Sequence, residues 1–168
     1  MEYKENGNVV ATKGVFYGYA SVFNVEDSHH DIILNGAFTN SLKTRCVNSV
    51  DLLWQHDSNN KIGKFSILRE DPIGLYVEGK ITEGNDNIYS YVKSGFVNGL
   101  SIGYRVNDFY IDDNGRRIIK SLDLIEISIV NFPANKHSNI THCKSLDDHG
   151  NPLDRLGHVL DNTINSLS

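Results

Sequence analysis

The chain is poor in the residues that staple a fold or mark a dedicated site. It has 2 cysteines in 168 residues, Cys46 and Cys143, far apart and with no C-x-x-C pair. A zinc knuckle or a dithiol redox centre is therefore not expected, and two reduced thiols are the plain reading. Positive charge is also scarce. Lys and Arg number 16 against 21 Asp and Glu, for a net charge of −5, and Arg116–Arg117 is the only adjacent basic pair. Without a basic stripe to neutralise phosphates, no nucleic-acid partner is expected. No apolar run approaches the ~18 residues of a membrane span, and the opening "MEYKENGNVV" lacks an apolar targeting core, so the expectation is a protein made and used in a cytoplasm, with no membrane partner. What remains is globular in character: 39% hydrophobic and 22% charged residues in a length that suits one domain. A domain of this size buries roughly 70% of the surface its unfolded chain exposes.

Hydrophobic patterning divides the chain into strands and a few helices. "GVFYGYASVF", 14–23, is rich in aromatic and β-branched residues and reads as a strand. In 36–46, Phe38, Leu42 and Cys46 recur at the spacing of a helical apolar stripe. "SVDLLWQHD", 49–57, reads as a strand ending at His56. Segments 61–71 and 74–82 read as two strands joined by a turn at Asp71–Pro72, with Leu75, Val77, Gly79 and Ile81 on the inner face. Segment 85–96 reads as a helix with Asn85 as N-cap, Ile88, Tyr91 and Val92 as its stripe, and Gly95 as its stop. A strand over 99–112, a turn at Asn114–Gly115 and one or two strands ending before Pro133 follow. Beyond about residue 143 the chain becomes polar. These elements predict an α+β domain of mainly antiparallel β structure, with a barrel-like core and a few surrounding helices.

Three positions draw attention as chemistry. Ser101 lies in "GLSIG", flanked by Gly99 and Gly103, whose missing side chains would allow close backbone approach and an exposed N–H. A serine hydroxyl becomes a useful nucleophile only with a base in hydrogen-bond reach and a third group orienting that base. His56 is the candidate base. In "LDLIEISIV", alternation puts Leu122, Leu124, Glu126 and Ser128 on one face, and Asp123, Ile125, Ile127 and Ile129 on the other. Glu126 and Asp123 each sit among apolar neighbours, where a carboxylate requires a partner. Each residue alone also fits a plain structural role: an edge histidine, a sheet serine, a carboxylate paired with Lys or Arg. A metal site from His29, His30, Asp31, His56 and Asp57 is a minor alternative, because adjacent histidines on an extended chain point to opposite faces.

Together, "DIILNGAFTNSL", "LLWQHD…IGKF", "GLYVEGKI", "VKSGFVNGLSIGY" and "DLIEISIVNFPAN", in this order across roughly residues 14–140, resemble the prohead maturation proteases of tailed bacteriophages, the capsid-assembly family associated with the HK97-type head. The resemblance implies a fold like that of the herpesvirus assembly proteases, serine endopeptidase activity without a cofactor or metal, and a catalytic His56 and Ser101. Glu126, inside the L-x-E-[IV]-S pattern, is the preferred orienting group over Asp123. The implied substrate is the scaffolding segment of the major capsid protein, and the protease itself, inside the immature capsid in the host cytoplasm. Self-association is also expected. The protease domain would cover 1–143, and the tail over 144–168, helical or mobile, would serve in packaging or self-cleavage. Backbone N–H groups of Gly103 and of Asn131–Asn135 are the candidate oxyanion donors. The rival is a non-catalytic structural or scaffold-binding β-barrel module of a phage particle.

Overall fold

The computed structural model describes residues 13–144, so the expected tail beyond Lys144 lies outside the described residues. Ten elements run in the order β1 Val15–Val22, β2 Asp31–Ile33, α1 Thr39–Thr44, β3 Asp51–Trp54, β4 Asp57–Glu70, β5 Gly74–Ile81, α2 Asp86–Lys93, β6 Gly99–Ile111, β7 Arg117–Val130 and β8 Ile140–Cys143. All eight strands join one sheet, in the order β2-β7-β3-β4-β5-β1-β8, with β6 on the other edge of β7. The segment leading into β8 brings the sheet round on itself. Tyr19 N–H donates to Asn139 O at 3.1 Å, Leu100 N–H to Ser138 O at 2.9 Å, and Ile140 N–H to Asn98 O at 2.7 Å, so β1 and β6 are bridged. The expected barrel-like α+β fold is what the chain adopts.

Alternation explains what fills the interior. Along β5, Leu75, Val77, Gly79 and Ile81 face the core, and a Cβ at Gly79 would sit 2.7 Å from the Phe16 ring. Leu100 from β6 and Leu122, Leu124, Ile127 and Ile129 from β7 are fully buried in the same cluster, so the opposite faces expected for the two β7 pairs are corrected: the ladder shifts register between Leu124 and Glu126. Each such side chain contributes about 1.5–3 kcal/mol by leaving water. The turn after β4 forms as expected, with Asp71 Oδ1 accepting the Ile73 and Gly74 N–H groups at 2.8 and 3.1 Å.

Several expectations are corrected. The mainly antiparallel pairing holds, with β2 and β3 as the exceptions, both running parallel to β7 at its two ends. The helix expected over 36–46 contracts to the six residues of α1. Its buried residue is Ser41, which accepts the Leu124 N–H at 2.9 Å, and Cys46 is exposed. On α2 the buried residues are Ile88 and Val92, and Tyr89 packs against the core. Tyr91 is exposed and meets Phe96 instead. Asn85 takes the N-cap position as expected, but its side chain makes no capping bond and its amide donates back to Thr82 O. Gly95 does stop it, at φ +74°. The strand expected to end at His56 ends two residues earlier, and β4 begins at Asp57 rather than near 61.

Candidate active site

His56 sits on a two-residue turn between β3 and β4, where Trp54 pairs with Asp57. Gln55 and His56 have φ of 53° and 61°, both left-handed. Twist compatibility favours such turns in hairpins, but they are ordinarily built from Asn-Gly. A side chain in this region costs on the order of 1–2 kcal/mol per residue. The neighbouring strand β7 holds the turn. Gln55 N–H donates to Ile129 O at 3.0 Å, His56 N–H donates to Ser128 Oγ at 3.2 Å, and the Gln55 side-chain oxygen accepts the Asn131 N–H at 3.4 Å. Parallel pairing sets this up, since Leu53 and Trp54 run opposite Ser128 and Ile129.

The same strand presents Glu126. Its Oε1 accepts the His56 Nδ1 proton at 2.6 Å, and its Oε2 accepts the Ser128 hydroxyl at 2.5 Å. An ionised carboxylate can only accept. Nδ1 therefore carries the ring proton, and Nε2 has no hydrogen-bond partner among the described residues. The Glu126 side chain is 13% exposed and that of His56 45%, so the pair bridges the protein interior and an open face. Asp123, the alternative orienting residue, makes no hydrogen bond or ion pair among the described residues, and its neighbour Ile125 is exposed rather than packed.

Ser101 lies on β6 directly opposite Ser128. It is 7% exposed and shares with His56 the lining of a cavity of about 280 Å³. Its hydroxyl makes no hydrogen bond among the described residues. Of the three links in a serine–histidine–carboxylate chain, imidazole to carboxylate is therefore made, and hydroxyl to imidazole is open. The flanking glycines have a reason other than the one expected. A Cβ at Gly103 would stand 2.5 Å from Glu126 Oε1, and one at Gly99 would meet Val130 O at 2.6 Å and Pro133 Cδ at 2.8 Å. Gly103 makes room for the carboxylate, and Gly99 makes room for the loop after β7. Of the segment named for oxyanion donors, Ala134 and Asn135 line the cavity, as does Gly103. The Asn131 N–H is taken by Gln55.

Asp31 and Tyr104, which line the same cavity, belong to a separate cluster. Asp31 is 2% exposed and receives two hydrogen bonds from Arg117, Nε at 2.7 Å and Nη2 at 2.5 Å, and one from Tyr104 Oη at 2.8 Å. Burial works against ionisation of Asp31, but the Arg117 and Tyr104 hydrogen bonds outweigh it and hold the carboxyl below its ordinary pKa. Burial and the same carboxylate push the Tyr104 phenol up. The "HHD" motif is thus spent elsewhere: His30 Nδ1 pairs with Glu26 at 2.5 Å, and Asp31 is saturated by Arg117 and Tyr104. Among the described residues no three His, Cys, Asp or Glu side chains gather as a metal site would require. The Asp31–Arg117 pair, 86 residues apart in the chain, has no signal in the sequence. Ser128 had one, its position two residues from Glu126 on the same face.

A family model described as the caudovirus prohead serine protease matches residues 1–152. The chain is 40% identical over 142 residues to the prohead protease of Enterobacteria phage HK97, covering 80% of this chain and 62% of the relative. It is 33% identical over 135 residues to the prohead protease of Escherichia phage T5, covering 79% and 64%. The chain thus spans a little under two thirds of the length of either relative. Among solved structures, KSHV protease in complex with a hexapeptide phosphonate inhibitor superposes with a TM-score of 0.56 at 11% identity, over 88% of this chain and 76% of that one, which is a likeness of fold.

Proposed function

The chain belongs to the caudovirus prohead serine protease family, and from that premise we propose that it is a serine endopeptidase of phage head maturation, cutting the scaffolding segment of the major capsid protein, and itself, within the immature capsid. The observation that carries this reading is the 2.6 Å hydrogen bond from His56 Nδ1 to Glu126, which leaves Nε2 free at a cavity that Ser101 also lines.

The chemistry follows from that arrangement. Ser101 Oγ attacks the scissile carbonyl carbon while His56 Nε2 takes its proton. The imidazolium so formed stays hydrogen-bonded to the Glu126 carboxylate. The tetrahedral intermediate collapses, the peptide C–N bond breaks, and the leaving amine takes the proton from His56. Water, deprotonated in turn by His56, attacks the ester carbonyl, and Ser101 recovers its proton as the acid product departs. Hydroxyl–imidazole contacts of this kind commonly tighten only as the complex with substrate forms. Confinement in a shell with its substrate raises the effective concentration, so modest intrinsic activity suffices.

Co-expression with the cognate capsid protein tests this. Wild type should shorten the capsid protein on a denaturing gel, and Ser101→Ala should leave it full-length. Cleavage that persists in Ser101→Ala would refute the reading.

A further inference from the structure

The Ser128 side chain touches both working members of the site while contacting no solvent. It is 0% exposed. Its hydroxyl donates to Glu126 Oε2 at 2.5 Å and accepts the His56 N–H at 3.2 Å. One hydroxyl has a single proton to give and lone pairs to receive, so both bonds can be made at once. Resting on the protease reading above, we infer that Ser128 is a positioning residue that fixes the Glu126 carboxylate and the His56 turn relative to one another.

Two features need that service. The carboxylate has two oxygens, and only Oε1 is spent on the imidazole. With Oε2 anchored and Gly103 admitting the side chain from the other strand, the Glu126 plane has little freedom to rotate away from Nδ1. The histidine, for its part, is carried by two consecutive left-handed residues with no glycine to relieve them. Its backbone N–H points at β7, where the ladder offers a side chain rather than a carbonyl. Without the hydroxyl, that N–H and Oε2 both lose the partner that the fully buried Ser128 gives them. The neighbouring serine on the paired strand is Ser101 itself. Ser128 thus sits beside the proposed nucleophile on the paired strand and ties base and carboxylate into one unit.

The test uses Ser128→Ala, Ser128→Thr and Ser128→Val. Thr and Val match in shape and differ in the hydroxyl, so any cost of the added bulk cancels between them. Cleavage of co-expressed capsid protein should slow on the order of 10²-fold in Ala, the scale set by small misplacement of a reacting group. Thr should cleave at least about tenfold faster than Val. In the inert Ser101→Ala background, the His56 Nδ1 proton resonance should shift or broaden on adding Ser128→Ala or Ser128→Val and persist with Thr. If Ser128→Ala does not fold, the Thr and Val pair carries the comparison. Equal rates for Thr and Val, or an unchanged His56 resonance in folded Ala and Val variants, would overturn the assignment. The resonance is read without proteolysis, so a wild type that cleaves nothing would refute the protease reading and leave this test standing.

Discussion

Two carboxylates, Asp31 lining the cavity and Glu126 bonded to the histidine that lines it, do opposite things. Glu126 meets a histidine whose side chain is 45% exposed, and one ring nitrogen stays uncommitted. Asp31 meets an arginine and a tyrosine, and three hydrogen bonds from permanent donors occupy it. The partner decides the role. Imidazole can change its protonation near neutral pH, whereas guanidinium cannot. Asp31 ties β2, β6 and β7 together, from residues distant in the chain. Glu126 orients a group that can act. A buried carboxylate beside a candidate catalytic cavity is therefore not by itself a sign of chemistry, and the uncommitted atom of its partner is the better guide.

That contrast can be broken in several ways. The largest effect expected is on the open cluster. His56→Ala should lower capsid cleavage by on the order of 10⁴-fold, with melting temperature nearly unchanged because the side chain is half exposed. A comparable loss on Asp31→Asn with the fold intact would erase the distinction. Next comes the closed cluster. Asp31→Ala removes three charge-assisted bonds, so thermal or urea unfolding should show a loss of about 2–3 kcal/mol. Activity should follow the folded fraction only. Gly103→Ala should be smaller but mixed, since its methyl would strike Glu126 Oε1. A stability cost of about 1–2 kcal/mol is expected from overpacking, together with a fall in cleavage beyond what unfolding explains. Stability alone falling would show that the carboxylate can shift harmlessly.

The smallest effect is in the pH dependence of stability. The Asp31 carboxyl has a depressed pKa when folded, because the Arg117 and Tyr104 hydrogen bonds outweigh burial. Its contribution is therefore fully present above the unfolded carboxyl value of about 3.9 and is lost as pH falls through the lower folded value. The melting-temperature gap between wild type and Asp31→Asn should be constant near neutral pH and close below about pH 4. A gap that closed between pH 6 and 8 would point to a histidine instead.

Much of this was legible in the residues. Alternation along β5 gave its core face, and Asp71–Pro72 and Gly95 marked a turn and a helix stop, whereas along β7 alternation failed where the ladder shifts register between Leu124 and Glu126. The spacing of Ser101 and Glu126 placed them one hairpin apart, and they do lie on paired strands. The turn carrying His56 was not legible, because Gln-His has none of the chemistry that normally announces a left-handed pair. It exists because β7 supplies the hydrogen bonds, and that parallel pairing joins segments about 75 residues apart. The glycines around Ser101 were visible, but the room they make for Glu126 on β7 and for Pro133 in the loop after it was not. Asp31 was singled out for the wrong reason, its partner Arg117 lying far along the chain. Local chemistry was readable, and long-range compensation was not.

The most direct measurement is covalent labelling of co-expressed proheads with a fluorophosphonate, followed by peptide mapping. An activated hydroxyl predicts a single adduct on Ser101 in wild type, lost in His56→Ala and strongly reduced in Glu126→Ala. No adduct on Ser101 in particles that still process their capsid protein would contradict the account.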